Sequence, residues 1–175
     1  MPHAGSTTRS RGPIRILLVD DHLVFRAGVR ALLGKQHDLV VVGEAGTPDE
    51  AVARATAARP DVVLMDLALP GQGGGGLGAT RRIVGLGFGA KVLVITALPR
   101  EQELLEALES GACGFVEKMA PAEDLTLAIR TVAAGRLFLG TDAAKLVVLQ
   151  RYRRDEHIET GPPPPVGPQL PRAPP

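Results

Sequence analysis

Apolar residues fall into short runs along the chain, separated by stretches with helical spacing. The runs Ile14–Val19, Leu39–Ala45 (LVVVGEA), Asp61–Asp66 (DVVLMD), Lys91–Thr96 (KVLVIT) and Cys113–Glu117 (CGFVE) are rich in Val, Leu and Ile. Runs of this kind predict strands buried on both faces, which requires a parallel sheet with helices on either side. Between them, Leu23–Leu33 has the spacing of a helix. Thr47-Pro48-Asp49-Glu50 predicts a capping box, with Thr47 as N-cap, Pro48 at N1 and Glu50 at N3, opening a helix that ends before Pro60. Further helices are predicted near Leu77–Leu86, over Pro99–Ser110 closed by Gly111, and over Pro121–Ala134 closed by Gly135.

Five strands alternating with five helices describe an α/β doubly wound (βα)5 sandwich of three layers. Its crossovers must be right-handed. The strand order 2-1-3-4-5 is one of two common solutions, and its ligand site lies at the carboxyl ends of the strands. Residues 14–135 form this domain. Residues 1–13, rich in Gly, Ser, Thr and Arg, are expected to be a disordered arm. Residues 136–155 are read as a connector, Arg136–Gly140, followed by a helix from Asp142 to about Arg154 with Thr141 as its cap. Residues 156–175 form a proline-rich tail, expected to be extended and polyproline-like.

Composition narrows the classes. Hydrophobic residues make up 45% and aromatics 3%, so the core is aliphatic. The net charge of +1, with Lys and Arg dispersed, creates no global field calling for nucleic acid or a membrane surface. The single cysteine, Cys113, rules out an intrachain disulfide and is read as a small hydrophobe in a buried strand. No apolar run approaches the ~18 residues of a membrane span. Met1–Pro13 lacks the apolar segment of a secretory signal. The expected location is cytoplasmic.

The chemistry gathers at the strand ends. The first strand ends in Asp20-Asp21, the third in Asp66 and the fourth in Thr96, with Lys118 two residues past Val116. A parallel sheet brings these ends to one edge. At ~4 Å and an effective dielectric of ~20, each carboxylate pair repels by about 4 kcal/mol. A hard divalent cation with oxygen ligands resolves that conflict, and Mg²⁺ is bound through one or two carboxylates. One carboxylate then remains to attack phosphorus. Lys118 suits a phosphoryl oxygen as a compact cation, and Thr96 can donate a hydrogen bond to the same group. The plainer alternative is that Asp20 or Asp21 caps the helix starting near Leu23.

These residues, with the segments DDHLVFRAGVRALL, MDLALPG, ATRRI, VLVITAL, GACGFVEK and AIRTVAAG, resemble the receiver domain of bacterial two-component response regulators, of the NarL/FixJ type. The resemblance runs from about Ile14 to Gly135. It implies a flavodoxin-like fold with Asp66 as phosphoacceptor. It assigns Mg²⁺ to Asp20, Asp21, Asp66 and the backbone carbonyl of Ala68. Thr96 matches the switch hydroxyl, Lys118 the family's lysine and Phe115 the aromatic switch position, for which an ordinary core aromatic is the alternative. The implied donor is a histidine kinase. Implied outputs are a switched face of the fourth helix, fifth strand and fifth helix, and a homodimer formed there or through the Asp142–Arg154 helix.

The chain departs from the family pattern in three places. Gly73–Gly76 lengthen the loop after Asp66, which predicts a mobile loop and a frayed start to the third helix. Ala68 and Leu98, two beyond Asp66 and Thr96, are apolar and cannot orient a hydrolytic water by their side chains, so slow self-dephosphorylation is expected. The helix-turn-helix domain usual after this receiver type is missing from the residues that follow Gly140. Arg151, Tyr152, Arg153 and Arg154 form only a small basic cluster. Direct DNA binding is therefore not expected, although a DNA-binding transcription regulator acting through residues past Gly140 is the rival reading. A phosphatase with an aspartyl nucleophile ranks lower, because such enzymes favour an Asp-x-Asp arrangement after the first strand.

Overall fold

A computed structural model describes residues 12–97 and 100–140. The chain alternates as β1 (Ile14–Val19), α1 (Leu23–Leu33), β2 (Leu39–Ala45), α2 (Pro48–Ala58), β3 (Val62–Asp66), α3 (Gly75–Gly85), β4 (Lys91–Thr96), α4 (Glu101–Glu109), β5 (Ala112–Glu117), α5 (Ala122–Ala133) and β6 (Phe138–Leu139). The strands form one sheet in the order β2-β1-β3-β4-β5-β6, all neighbours parallel. This is the expected doubly wound order with one strand added. Leu98, the Asp142–Arg154 segment with its basic cluster, and the proline-rich tail lie outside the described residues, as do residues 1–11.

Both faces of the sheet are covered, as the near-continuous apolar runs require. Every residue of β3 is buried. On one face Ile16, Leu18, Leu64, Leu93 and Ile95 pack against Leu33 of α1 and Ile129 of α5. On the other, Leu17, Val63 and Met65 pack against Ala51 and Ala55 of α2 and Ile83 of α3. A third cluster joins Val94 and Phe115 to Leu104 and Ala107 of α4. The capping box forms as predicted at Thr47, whose Oγ1 accepts from Glu50 N at 3.3 Å. Glu50 reaches back one residue further than the motif demands, to Gly46 N at 2.9 Å. Among the described residues, no helix is long and apolar enough to cross a membrane.

Two expectations need correction. The connector Arg136–Gly140 contains β6, which pairs Gly114 with Phe138 and Phe115 with Leu139. A Cβ on Gly114 would sit 2.5 Å from the Phe138 carbonyl oxygen, so a glycine in β5 is what admits the extra strand. The glycine run is exposed at Gly73 and Gly74 but closely packed where it enters the third helix. Helix α3 starts at Gly75, inside the glycine run, and Gly76 and Gly78 are buried. A Cβ on Gly76 would lie 2.0 Å from the carbonyl oxygen of Asp66, and one on Gly78 would lie 1.7 Å from that of Gly73. Gly76 lets α3 approach the end of β3, and Gly78 lets the preceding loop fold back against the helix.

Candidate phosphoacceptor and metal site

Register sets the site. Val19 pairs with Met65, so the residues that follow, Asp20 and Asp66, stand side by side beyond the ladder. Asp66 pairs with Ile95, which puts Thr96 one step further along the same edge. Thr96 pairs with Glu117, and Lys118 N donates to Thr96 O at 2.8 Å. From there the long Lys118 side chain crosses β4 to reach the carboxylates of β3 and β1.

Lys118 Nζ donates to Asp66 Oδ2 at 2.8 Å and lies 2.6 Å from Asp20 Oδ2. It also stands 4.9 Å from the centroid of the Phe25 ring, a further stabilising contact for a cation. Burial by itself would lower the Lys118 pKa, but the close contacts with the Asp20 and Asp66 carboxylates and their charges outweigh it and hold the pKa above its usual value. Lys118 therefore stays an ammonium at neutral pH. Asp20 and Asp66 are both buried, at 2% and 1% exposure. Asp66 Oδ1 accepts from Ala68 N at 3.0 Å.

The capping alternative for the acidic pair does not hold. His22 is the N-cap of α1, and no side chain caps that helix. Asp20 Oδ1 instead accepts from His22 N at 2.7 Å, a turn that aims the carboxylate across the sheet edge. Arg26 Nη1 donates to the Asp20 carbonyl, and Arg26 Nε donates to Glu44 at 3.1 Å, so α1 and β2 brace the same turn.

The donor set fits a divalent cation. Oxygens of Asp20, Asp21 and Asp66 lie within 4.8 Å of one another. Their three negative charges meet one nearby ammonium, leaving a net charge of about −2 by elementary counting. Asp20 Oδ2 is buried without an aligned hydrogen bond. Its close partner is the Lys118 ammonium at 2.6 Å, an ion pair that balances the charge on that oxygen.

The profile of the response regulator receiver domain matches residues 16–130. The chain belongs to this family. The DNA-binding transcriptional activator DevR/DosR of Mycobacterium tuberculosis is 40% identical over 131 residues, which are 75% of this chain and 59% of that protein. Response regulator GacA of Pseudomonas aeruginosa is 34% identical over 144 residues, 82% of this chain and 66% of that one. The receiver chain thus spans less than two thirds of the length of these relatives. Among solved structures, a LuxR-family two-component response regulator from Aurantimonas sp. SI85-9A1 superposes with a TM-score of 0.75 at 37% identity. That match covers 81% of this chain and 99% of the other. The receiver domain of the putative response regulator NarL of Mycobacterium tuberculosis gives a TM-score of 0.68 at 31% identity, covering 72% of this chain and 100% of that one.

The receiver structure brings Asp20, Asp21, Asp66 and Lys118 into one site and sets Thr96 at its rim. Phe115 lies apart, buried at 1% exposure between β4 and α4. It is already turned inward, so inward packing alone does not require a phosphoryl group. Three residues around the site were missed from sequence: His22, Phe25 and Arg26. His22 was legible in principle, as a metal-competent side chain directly after two carboxylates. Phe25 and Arg26 carry no local signal, because their roles depend on which way α1 faces.

Proposed function

We propose that this receiver is a phosphoacceptor switch in a two-component relay, loaded on Asp66 by a histidine kinase. A carboxylate oxygen of Asp66 attacks phosphorus, and the P–N bond of the donor phosphohistidine breaks with its electron pair retained on nitrogen. Lys118 holds a fixed positive charge beside the oxygen that becomes the acyl phosphate and balances the charge gained there. Asp20, Asp21, Asp66 and the Ala68 carbonyl would hold Mg²⁺, which when bound neutralises phosphoryl oxygens during in-line transfer. The observation that carries this reading is the Lys118 ammonium placed between Asp66 and Asp20 at the carboxyl edge of the sheet.

Phosphorylation adds charge and strong acceptor oxygens at Asp66. Thr96, at the rim, donates to them and holds the end of β4. The phosphorylated form then favours the arrangement with Phe115 inward, biasing the α4–β5–α5 face toward its partner. That partner is a second copy or an output component feeding transcription, a role supported by relatives such as DevR/DosR. The working organisation is a receiver over residues 14–135 in the cytoplasm, with residues 136–155 as a connection. Because the side chain at position 68 is a methyl group, we expect slow self-dephosphorylation.

Intact mass after incubation with acetyl phosphate and Mg²⁺ tests the proposal. The native chain should gain one phosphoryl group and Asp66→Asn none. Equal labelling of both would overturn it.

A further inference from the structure

The opposite edge of the sheet, where the strands begin, holds a groove of about 640 Å³. Five residue steps along β3 at ~3.3 Å each put it roughly 17 Å from Asp66. Strand pairing builds it. Asp61 N donates to Arg15 O at 2.8 Å and Lys91 N donates to Asp61 O at 2.9 Å, so the starts of β1, β3 and β4 stand in a row. Ile14 and Phe88 give the groove an apolar wall, and Arg15, Arg59, Lys91 and Asp61 give it a charged one.

Positive charge is concentrated here. The whole chain carries a net +1, yet three cations meet one carboxylate in this groove, a local charge of about +2 by elementary counting. Among the described residues, the side chains of Arg59 and Lys91 have no hydrogen-bond or ion-pair partner. Arg15 is held in place, its Nη2 donating to Ala58 O at 2.7 Å at the end of α2. Asp61 Oδ2 accepts from Arg15 N at 2.8 Å, and Asp61 Oδ1 has no donor among the described residues. Arg59 stands in a strained position. It is the one non-glycine residue with positive φ among the described residues, at φ 44° and ψ 64°. Glycine or asparagine would take that left-handed C-cap more readily. A cation there gains from the dipole of α2, but a basic residue in the last turn would gain as much without strain, and that turn has none.

We propose that this groove binds a nucleoside phosphate. Unpartnered cations suit phosphoryl oxygens, through charge-assisted hydrogen bonds. The open Asp61 Oδ1 suits sugar hydroxyls, and the apolar wall with its half-buried Phe88 ring suits a base. The volume lies within the range of small-ligand clefts. Inorganic phosphate would leave the apolar wall and Asp61 unused. The site is separate from the acidic edge and stands whether or not Asp66 accepts a phosphoryl group.

The test is calorimetry on the full chain with ADP, pyrophosphate and adenosine as probes. EDTA keeps metal off the acidic edge, and ~0.15 M salt screens loose attraction. ADP should bind, and pyrophosphate and adenosine should each bind at least ~tenfold more weakly. Arg59→Gly and Lys91→Gln should each weaken ADP binding by about tenfold. Arg54→Gln, exposed on α2 outside the groove, should change it by less than ~twofold. Because glycine relieves the strained C-cap, Arg59→Gly should unfold at no lower urea concentration than the native chain, which separates lost binding from lost fold. Backbone amide shifts on adding ADP should centre on Arg59, Phe88 and Lys91. Absence of ADP binding would overturn the proposal, as would shifts centred on Asp20 and Asp66 or equal weakening by Arg54→Gln. Pyrophosphate binding as tightly as ADP would reduce the groove to an anion site and overturn the nucleoside assignment.

Discussion

Replacing Gly76 by alanine asks whether the glycine run is slack or packed. The added Cβ would sit 2.0 Å from the Asp66 carbonyl oxygen, with Leu67 Cα at 2.8 Å. That is about 1.5 Å inside the ~3.5 Å of ordinary contact. The obstructing atoms are backbone and cannot swing aside, so α3 must lift from the end of β3. Overpacking costs ~1–3 kcal/mol and sometimes more, while alanine in place of glycine returns about 0.8–1 kcal/mol of helix propensity. A net loss of up to about 2 kcal/mol is expected, toward the upper end because the clash is with fixed backbone. Gly85, at the last turn of the same helix, has nothing within 4 Å of an added Cβ. Gly85→Ala should therefore be neutral or stabilising by up to ~1 kcal/mol. Urea and thermal unfolding of the two variants should separate them by up to about 3 kcal/mol, on the order of 10 °C in Tm. If Gly76→Ala matched Gly85→Ala within ~0.5 kcal/mol, as surface changes do, the loop would be as slack as its composition suggests and the close approach of α3 would be refuted.

Lys118→Met should cost on the order of 3 kcal/mol, because it strands two buried carboxylates without their cation. Since the folded-state pKa of Lys118 is raised above 10.5, its contribution is complete below that value and is lost as pH rises through the folded-state value. The variant and the native chain should converge at strongly alkaline pH, and a gap unchanged there would count against the ion cluster. Phe115→Ala should lose ~3–5 kcal/mol as a fully buried aromatic, whereas Thr96→Ala should still load phosphate yet fail to shift Phe115 ring resonances on loading. A full ring response in Thr96→Ala would remove Thr96 from the switch. Phosphoaspartate in the native chain should persist for minutes to hours by acid–urea electrophoresis, and Ala68→Asn should shorten that lifetime. Decay within seconds in the native chain would contradict the slow hydrolysis expected from an apolar side chain at Ala68.

The α/β order and the strand ends were legible because they rest on local signals. Each strand is an apolar run with turn residues beside it, and parallel pairing then puts Asp20, Asp66, Thr96 and Lys118 at one edge whatever the details of packing. Helix α2 was equally plain, since Thr47, Pro48 and Glu50 write its start in three residues. What escaped was set by contacts between distant segments. Gly114 looks like an ordinary glycine until Phe138 lies against it. Gly76 reads as loop slack until the Asp66 carbonyl is found beneath it. In both places composition points to freedom and tertiary contact turns it into a requirement for no side chain at all. The path of Lys118 across β4 was implied by residue order, but the seat of its ammonium over Phe25 depends on how α1 docks.

The charge balance explains why so rigid a frame surrounds the acidic edge. Asp20 and Asp66 sit at 2% and 1% exposure beside a third carboxylate, an arrangement that folding alone would not favour. Lys118 relieves it in part, the hydrogen bonds from His22 N and Ala68 N relieve it further, and Asp20 Oδ2 remains without an aligned donor. The strain is carried by two closely packed strands, with β3 buried throughout and the inner residues of β1 at 3% exposure or less. Such strands hold the carboxylates together even though they repel, so a cation or a transferred phosphoryl group meets a site already assembled. The opening run of apolar residues and the two aspartates that end it are thus one device: the first part supplies the stiffness that lets the second keep its charges close.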